Sequence, residues 1–191
     1  MWLTERMAGM NKGETEFSWR QQNGFTLLEL FITLFLASIL LAFAIPSFNN
    51  TLERNTTRST MADFITAMAY ARSEAVRRGE DFSVLTISGS ASWSEGWCVI
   101  SKEQADKLSS GQSCRGAASV VRVFEGYGNL HVTGISSTSR YDFNEKGHLD
   151  SASQEIHICG KKDIGRKVLV TTLGQALAQE CNCGEDTHKC T

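Results

Sequence analysis

The feature that most constrains this chain is the run NGFTLLELFITLFLASILLAFAIPSF, Asn23 to Phe48. From Leu30 to Ile45 it has no charge, and only Thr33 and Ser38 are polar. Phe25 to Phe48 is about 24 residues, roughly 36 Å as a helix, long enough to cross a hydrocarbon core of about 30 Å with some tilt. Near its start stands one carboxylate, Glu29. A carboxylate in hydrocarbon costs on the order of 2.5–3.5 kcal/mol even on insertion scales, so it implies a function and a partner. An ordinary cleaved secretory signal would end in small residues after the apolar run. Here Pro46-Ser47-Phe48 follows instead, and a plain anchor leaves Glu29 unexplained.

The preceding Met1 to Gly24 reads as a hydrophilic leader, with Arg6, Lys12 and Arg20 against Glu5, Glu14 and Glu16; Met7 and Met10 are alternative starts. The positive-inside rule favours a cytoplasmic N-terminus, blunted by the acidic residues. Net charge is −2 over 191 residues, so no global basic field points to nucleic acid. All six cysteines, Cys98, Cys114, Cys159, Cys181, Cys183 and Cys190, lie beyond the apolar run, which implies an oxidising compartment and disulfides.

Beyond Pro46, Phe48, Leu52, Met61, Phe64, Ile65, Met68, Ala71, Ala75 and Val76 recur at helical spacing, and Gly79 is a helix stop. Asn49-Asn50 and Asn55-Thr56-Thr57 predict a local break in that helix. Pro46 predicts a kink, because it lacks the N–H that the helix needs. From residue 80 onward, short alternating segments follow: Phe82 to Ser88, Trp97 to Ser101, ASVVRVFEG, LHVTGIS, YDFNEKGHLD, QEIHICG and GRKVLVTTLG. In QEIHICG the alternation puts Ile156 and Ile158 inward, and Glu155 and His157 outward. The last two segments form a hairpin across the loop 160–165. The class is α+β, a long helix followed by an antiparallel β domain.

Cys98 and Cys114 flank the polar loop Lys102 to Ser113 and could close it. Cys159 could pair with Cys181 or Cys183, leaving one for Cys190; six cysteines allow 15 connectivities. The tail CNCGEDTHKC also offers Cys181, Cys183, His188 and Cys190 as four zinc ligands. Its C-x-C spacing is tight for a zinc knuckle, so disulfides are expected and no metal. Among His131, His148, His157 and His188 there is no metal motif, and GQSCRG lacks a glycine that a nucleophile elbow needs. No catalytic constellation emerges, and no cofactor is expected.

The segment G-F-T-L-L-E, Gly24 to Glu29, followed by an apolar run ending at Pro46, resembles the class III signal of type IV prepilins and type II secretion pseudopilins. The words ARSEAVRRG, Ala71 to Gly79, with W-S-E-G-W and YDFNEKG, resemble the GspH/FimT/FimU family of minor pilins and pseudopilins. The resemblance spans Gly24 to about Cys183. It implies a pilin-like fold and cleavage after Gly24 by a prepilin peptidase, with N-methylation of the new terminus, Phe25. It implies assembly through Glu29, which would neutralise the Phe25 amine of a neighbouring subunit, and bending or melting at Pro46 during packing. It implies a leader 1–24, a membrane and filament-core helix 25–48, an amphipathic half 49–79, and a periplasmic β domain 80–191. The implied setting is the bacterial inner membrane, then a pilus or pseudopilus, with other minor and major subunits as partners. The function implied is to start or cap a type IV pilus or a type II secretion pseudopilus.

The alternative is DNA binding in natural transformation, which some FimT-type minor pilins perform through a C-terminal G-R-x-R motif. The matching place here reads Gly174-Gln175-Ala176-Leu177, with neither arginine, whereas phosphate contacts need cations. KKDIGRK offers Lys161, Lys162, Arg166 and Lys167 as a small basic patch on the predicted hairpin loop.

Overall fold

The structure is a computed structural model that describes residues 24–109, 111–128, 130–134, 138–160, 164–184 and 190, without the side chains of Pro46 and Ser47. The chain divides into two compact units, 1–42 and 43–191. Helix α1, Leu27–Arg78, passes from the first into the second. In the first unit every described residue is exposed; Phe25 is 82% exposed and Phe35 65%. Apolar side chains bare at this density require lipid or other helices to cover them.

The expected break near Asn55 does not occur. The hydroxyls of Thr56, Thr57 and Thr60 each donate to the carbonyl four residues back, at 2.9 Å, so their polar groups are satisfied without leaving the helix. The helix ends as expected at Gly79, which adopts φ 66° while its N–H and that of Glu80 both reach the Ala75 carbonyl.

Eight strands follow: β1 Phe82–Thr86, β2 Gly96–Ser101, β3 Val120–Glu125, β4 His131–Gly134, β5 Arg140–Phe143, β6 Gln154–Cys159, β7 Ile164–Val170 and β8 Ala176–Asn182. A short helix α2, Lys102–Ala105, follows β2. The strands form two antiparallel sheets, ordered β3-β2-β1-β5 and β4-β6-β7-β8. The α+β architecture is the one expected, and β6 and β7 do form a hairpin, with Cys159 opposite Gly165. Strand β8 falls where the sequence suggested only a tail; its Leu177, Ala178, Gln179 and Glu180 are exposed, so it has no clear inward period to read.

The main core joins the second half of α1 to both sheets. Phe64, Ala67, Met68, Ala71 and Ala75 pack with Val84, Trp97 and Tyr141 of one sheet and with Ile156, Ile158 and Val168 of the other. Phe64 is the central plug: Trp93 and Trp97 meet its ring at 5.5 Å and Tyr141 at 5.8 Å, all edge-on. A second cluster, including Leu85, Ile100, Ala105 and Cys114, covers the opposite face of the first sheet beneath α2. The apolar stripe is narrower than its spacing suggested, because Phe48, Leu52 and Val76 remain exposed.

Candidate assembly site

Thr26 caps α1: its Oγ1 accepts the Glu29 N–H at 3.2 Å, while the Thr26 carbonyl accepts the Leu30 N–H. Thr26-Leu27-Leu28-Glu29 thus has the T-x-x-E spacing of a capping box, of which the Thr26 half is formed. The Glu29 carboxylate sits in the first turn, at the positive end of the helix dipole. Gly24 and Phe25 precede the helix and are exposed. α1 continues through Pro46. The acceptor that Pro46 cannot bond is the carbonyl of Ala42, the residue at which the two units divide.

At the other end of α1, Glu74 is buried at 6% exposure and accepts from Arg77 Nη2 at 2.6 Å and Arg78 Nε at 2.7 Å. The Arg77 guanidinium, with Arg78 beside it, holds the Glu74 carboxyl below its usual range against the opposing effect of burial. Arg78 also lies over the Phe82 ring at 5.3 Å, which ties the helix end to β1. The i, i+3 and i, i+4 spacing within SEAVRR was the available sequence signal for this cluster. Alongside it, Ile65, Ala69 and Val76 of α1 and Gly174 and Ala176 of the β7–β8 turn line an open groove of about 610 Å³. Leu173 and Leu177 stand exposed in the same turn and strand.

The cysteines pair Cys98–Cys114, Cys159–Cys183 and Cys181–Cys190. The sulfurs of Cys159, Cys183 and Cys190 lie within 4.8 Å of one another. Of the four tail ligands considered for zinc, Cys181, Cys183 and Cys190 are thereby in disulfides, and His188 lies outside the described residues. His157 is not outward as its alternation implied: it is 4% exposed, and the Cys190 N–H donates to its Nδ1 at 3.0 Å. Cys114 of GQSCRG lies in a 3-10 turn with its sulfur in a disulfide.

Of the four cations read as a basic loop patch, two fall among the described residues, and they stand in a strand. Arg166 and Lys167 belong to strand β7, not to a loop, and as consecutive strand residues they point to opposite faces. Arg166 pairs with Glu180 at 2.7 Å; Lys161 and Lys162 lie outside the described residues. Gly174-Gln175-Ala176-Leu177 forms the β7–β8 turn and the start of β8, with the uncharged Gln175 and Leu177 where the arginines of a cationic motif would stand.

Two family models match the chain: Type II transport protein GspH over residues 60–174, and the prokaryotic N-terminal methylation motif over residues 19–45. Among curated proteins none matches. Among solved structures, the type IV minor pilin FimU of Pseudomonas aeruginosa matches at TM-score 0.54 and 24% identity, over 66% of this chain and 90% of that one. A second crystal form of FimU gives 0.52 at the same 24% identity, over 64% and 91%. The minor pseudopilin EpsH of the Vibrio cholerae type 2 secretion system gives 0.47 at 14% identity, over 65% and 97%. The fold shared with FimU is the long helix set on a β domain.

Proposed function

Since this chain belongs to the GspH family of type II transport proteins, we propose that it is a minor pilin or pseudopilin that helps to start or cap a type IV pilus or a type II secretion pseudopilus. The observation that carries this reading is the joint occurrence of a methylation motif at residues 19–45 and a GspH match at 60–174 on one chain. The bare apolar half of α1 supports it, because such a surface demands lipid or a bundle of other helices.

In this reading the peptidase cuts after Gly24, Phe25 becomes the methylated N-terminus, and the apolar segment anchors the subunit in the inner membrane. The β domain then stands in the periplasm. Both Phe25 and Glu29 lie at the membrane-inserted end of the helix. The Phe25 amine remains cationic after methylation. A neighbour's Glu29 meeting that amine removes two uncompensated charges from hydrocarbon at once, so assembly is favoured only in the register that pairs them. Pro46 supplies a missing helix bond at which α1 can bend on packing. The role is structural and non-enzymatic, and its partners are other minor and major subunits.

The test is incorporation. Glu29→Ala leaves residues 43–191 untouched and should yield a membrane-inserted, disulfide-bonded subunit absent from sheared filaments or from the co-purified minor-subunit complex. Normal incorporation of that variant would refute the pairing mechanism.

A further inference from the structure

Arg54 is exposed on α1 and has no hydrogen bond or ion pair among the described residues. It lines a cleft of about 430 Å³ with Arg166, Glu180, Asn182 and the Ile164–Gly165 backbone. Here the turn after β6 reaches α1: a Cβ on Gly160 would lie 2.2 Å from Glu53 Oε1. The cleft lies wholly within the second unit and adjoins the part of α1 that leaves the apolar run, where Phe43, Ile45 and Phe48 are 75%, 58% and 63% exposed.

This position has a physical consequence. Arg54 follows Phe48 by six residues, about 9 Å along a helix. If Phe48 marks the hydrocarbon edge, Arg54 begins just beyond a headgroup layer about 6 Å thick. Helical side chains lean toward the N-terminus, so Arg54 leans back toward that layer. Arg58, exposed one turn further on, adds a cation on the same helix face. Arg166, itself 21% exposed, is engaged by Glu180, whose carboxylate is 80% exposed and so can give up its place to another anion. Two guanidinium groups at one cleft suit a phosphodiester, which each can grip with paired N–H donors.

We infer that Arg54 and Arg166 form a clamp for the phosphodiester headgroup of an anionic phospholipid, which seats the β domain on the membrane that its own helix enters. The clamp rests on the proposed membrane-spanning role of α1. It would hold the unassembled subunit in one orientation, and it would have to release as the subunit is drawn into a filament. Glu180 is the built-in competitor, which keeps the grip reversible.

The test uses the full chain in nanodiscs, with benzoylphenylalanine replacing Asn182 as a photo-crosslinker and disulfides checked by mass. The discs contain alkyne-tagged phosphatidylglycerol or alkyne-tagged phosphatidylcholine. Crosslinking should favour phosphatidylglycerol, by about fivefold for each arginine engaged. Arg54→Gln combined with Arg166→Gln should reduce it to the phosphatidylcholine level, and Glu180→Gln should raise it. Equal labelling of the two lipids, or indifference to the arginine pair, would overturn the clamp. So would suppression by millimolar inorganic phosphate without any lipid preference, which would assign the cleft to a soluble anion. Duplex-DNA retardation that depends on the same two arginines, without a lipid preference, would assign it to nucleic acid and also overturn the clamp. A chain that fails to co-elute with nanodiscs would overturn the membrane reading itself, a result distinct from insertion without lipid preference.

Discussion

Removing the Phe64 ring tests what attaches the helix to the β domain. Phe64 is fully buried, and three aromatic rings meet it edge-on at 5.5–5.8 Å. Truncating a buried Phe to Ala costs about 3–5 kcal/mol through lost transfer energy and the residual cavity. Each edge-on pair adds about 0.5–1.5 kcal/mol, and the rings cannot close in, because Trp97 and Tyr141 are fixed in one sheet and Trp93 is held by its hydrogen bonds to the Val132 and Thr138 carbonyls. Phe64→Ala should therefore fall in the upper part of that range, about 4–5 kcal/mol. A domain of this kind holds about 5–15 kcal/mol in all, so the variant should sit near its unfolding threshold. Phe64→Leu keeps most of the volume and loses the three ring pairs, an expected cost of at least about 1.5 kcal/mol. The assay is urea titration of the oxidised protein in micelles, followed by tryptophan emission. Trp2 and Trp19 precede Gly24, so the processed chain reports through Trp93 and Trp97, both beside the mutated site. A Phe64→Ala midpoint within about 1 kcal/mol of the parent at unchanged slope would refute the idea that this plug holds the helix to the sheets.

Four further outcomes are expected. Glu74 has its folded-state pKa lowered from 4.5, so its contribution is complete above that value and is lost as pH falls through the folded value; the stability difference between pH 7 and pH 3 should shrink in Glu74→Gln, read by thermal melts. Replacing Cys98 and Cys114 together by Ser opens a disulfide of sequence separation 16 and should cost about 3 kcal/mol in urea unfolding. Tyr141 is 1% exposed, and its hydroxyl lacks a hydrogen-bond partner among the described residues, so Tyr141→Phe should leave the melting temperature unchanged or raise it. A Cβ at Gly165 would lie 2.1 Å from Cys183 Sγ and 3.1 Å from Cys181 Sγ, so Gly165→Ala should impair the Cys159–Cys183 bond, read by non-reducing peptide mapping.

What was legible in the sequence follows from how local each signal is. The helix through the apolar run, the helix stop at Gly79 and the β6–β7 hairpin are set by periodicity and turn chemistry within a few residues, and all three appear in the structure. The helix break near Asn55 was misjudged because polar composition was taken as a defect, whereas the threonine hydroxyls bond back within the helix. Strand β8 was missed because an exposed edge strand has no buried face to impose an alternation. His157 was placed outward by alternation along its own strand, whereas its partner Cys190 lies more than thirty residues further along the chain. A still greater separation hid the cleft at Arg54, whose other wall is built from residues 164–166 and 180–182. Processing after Gly24 and assembly through Glu29 are expectations that rest on the resemblance of Gly24 to Glu29 to prepilin signals, a likeness carried by consecutive residues and so readable without the fold.

The central claim is that this chain enters the pilin pathway. Its most direct test is the intact mass of the protein extracted from membranes with and without an active prepilin peptidase. The account requires a chain that begins at Phe25 and carries one added methyl when the peptidase is present, and a chain that retains Gly24 and the residues before it when the peptidase is absent. A chain still uncut beside an active peptidase would contradict it. Glu29 would then have no cationic terminus to meet, and the molecule would be a β domain on a simple anchor.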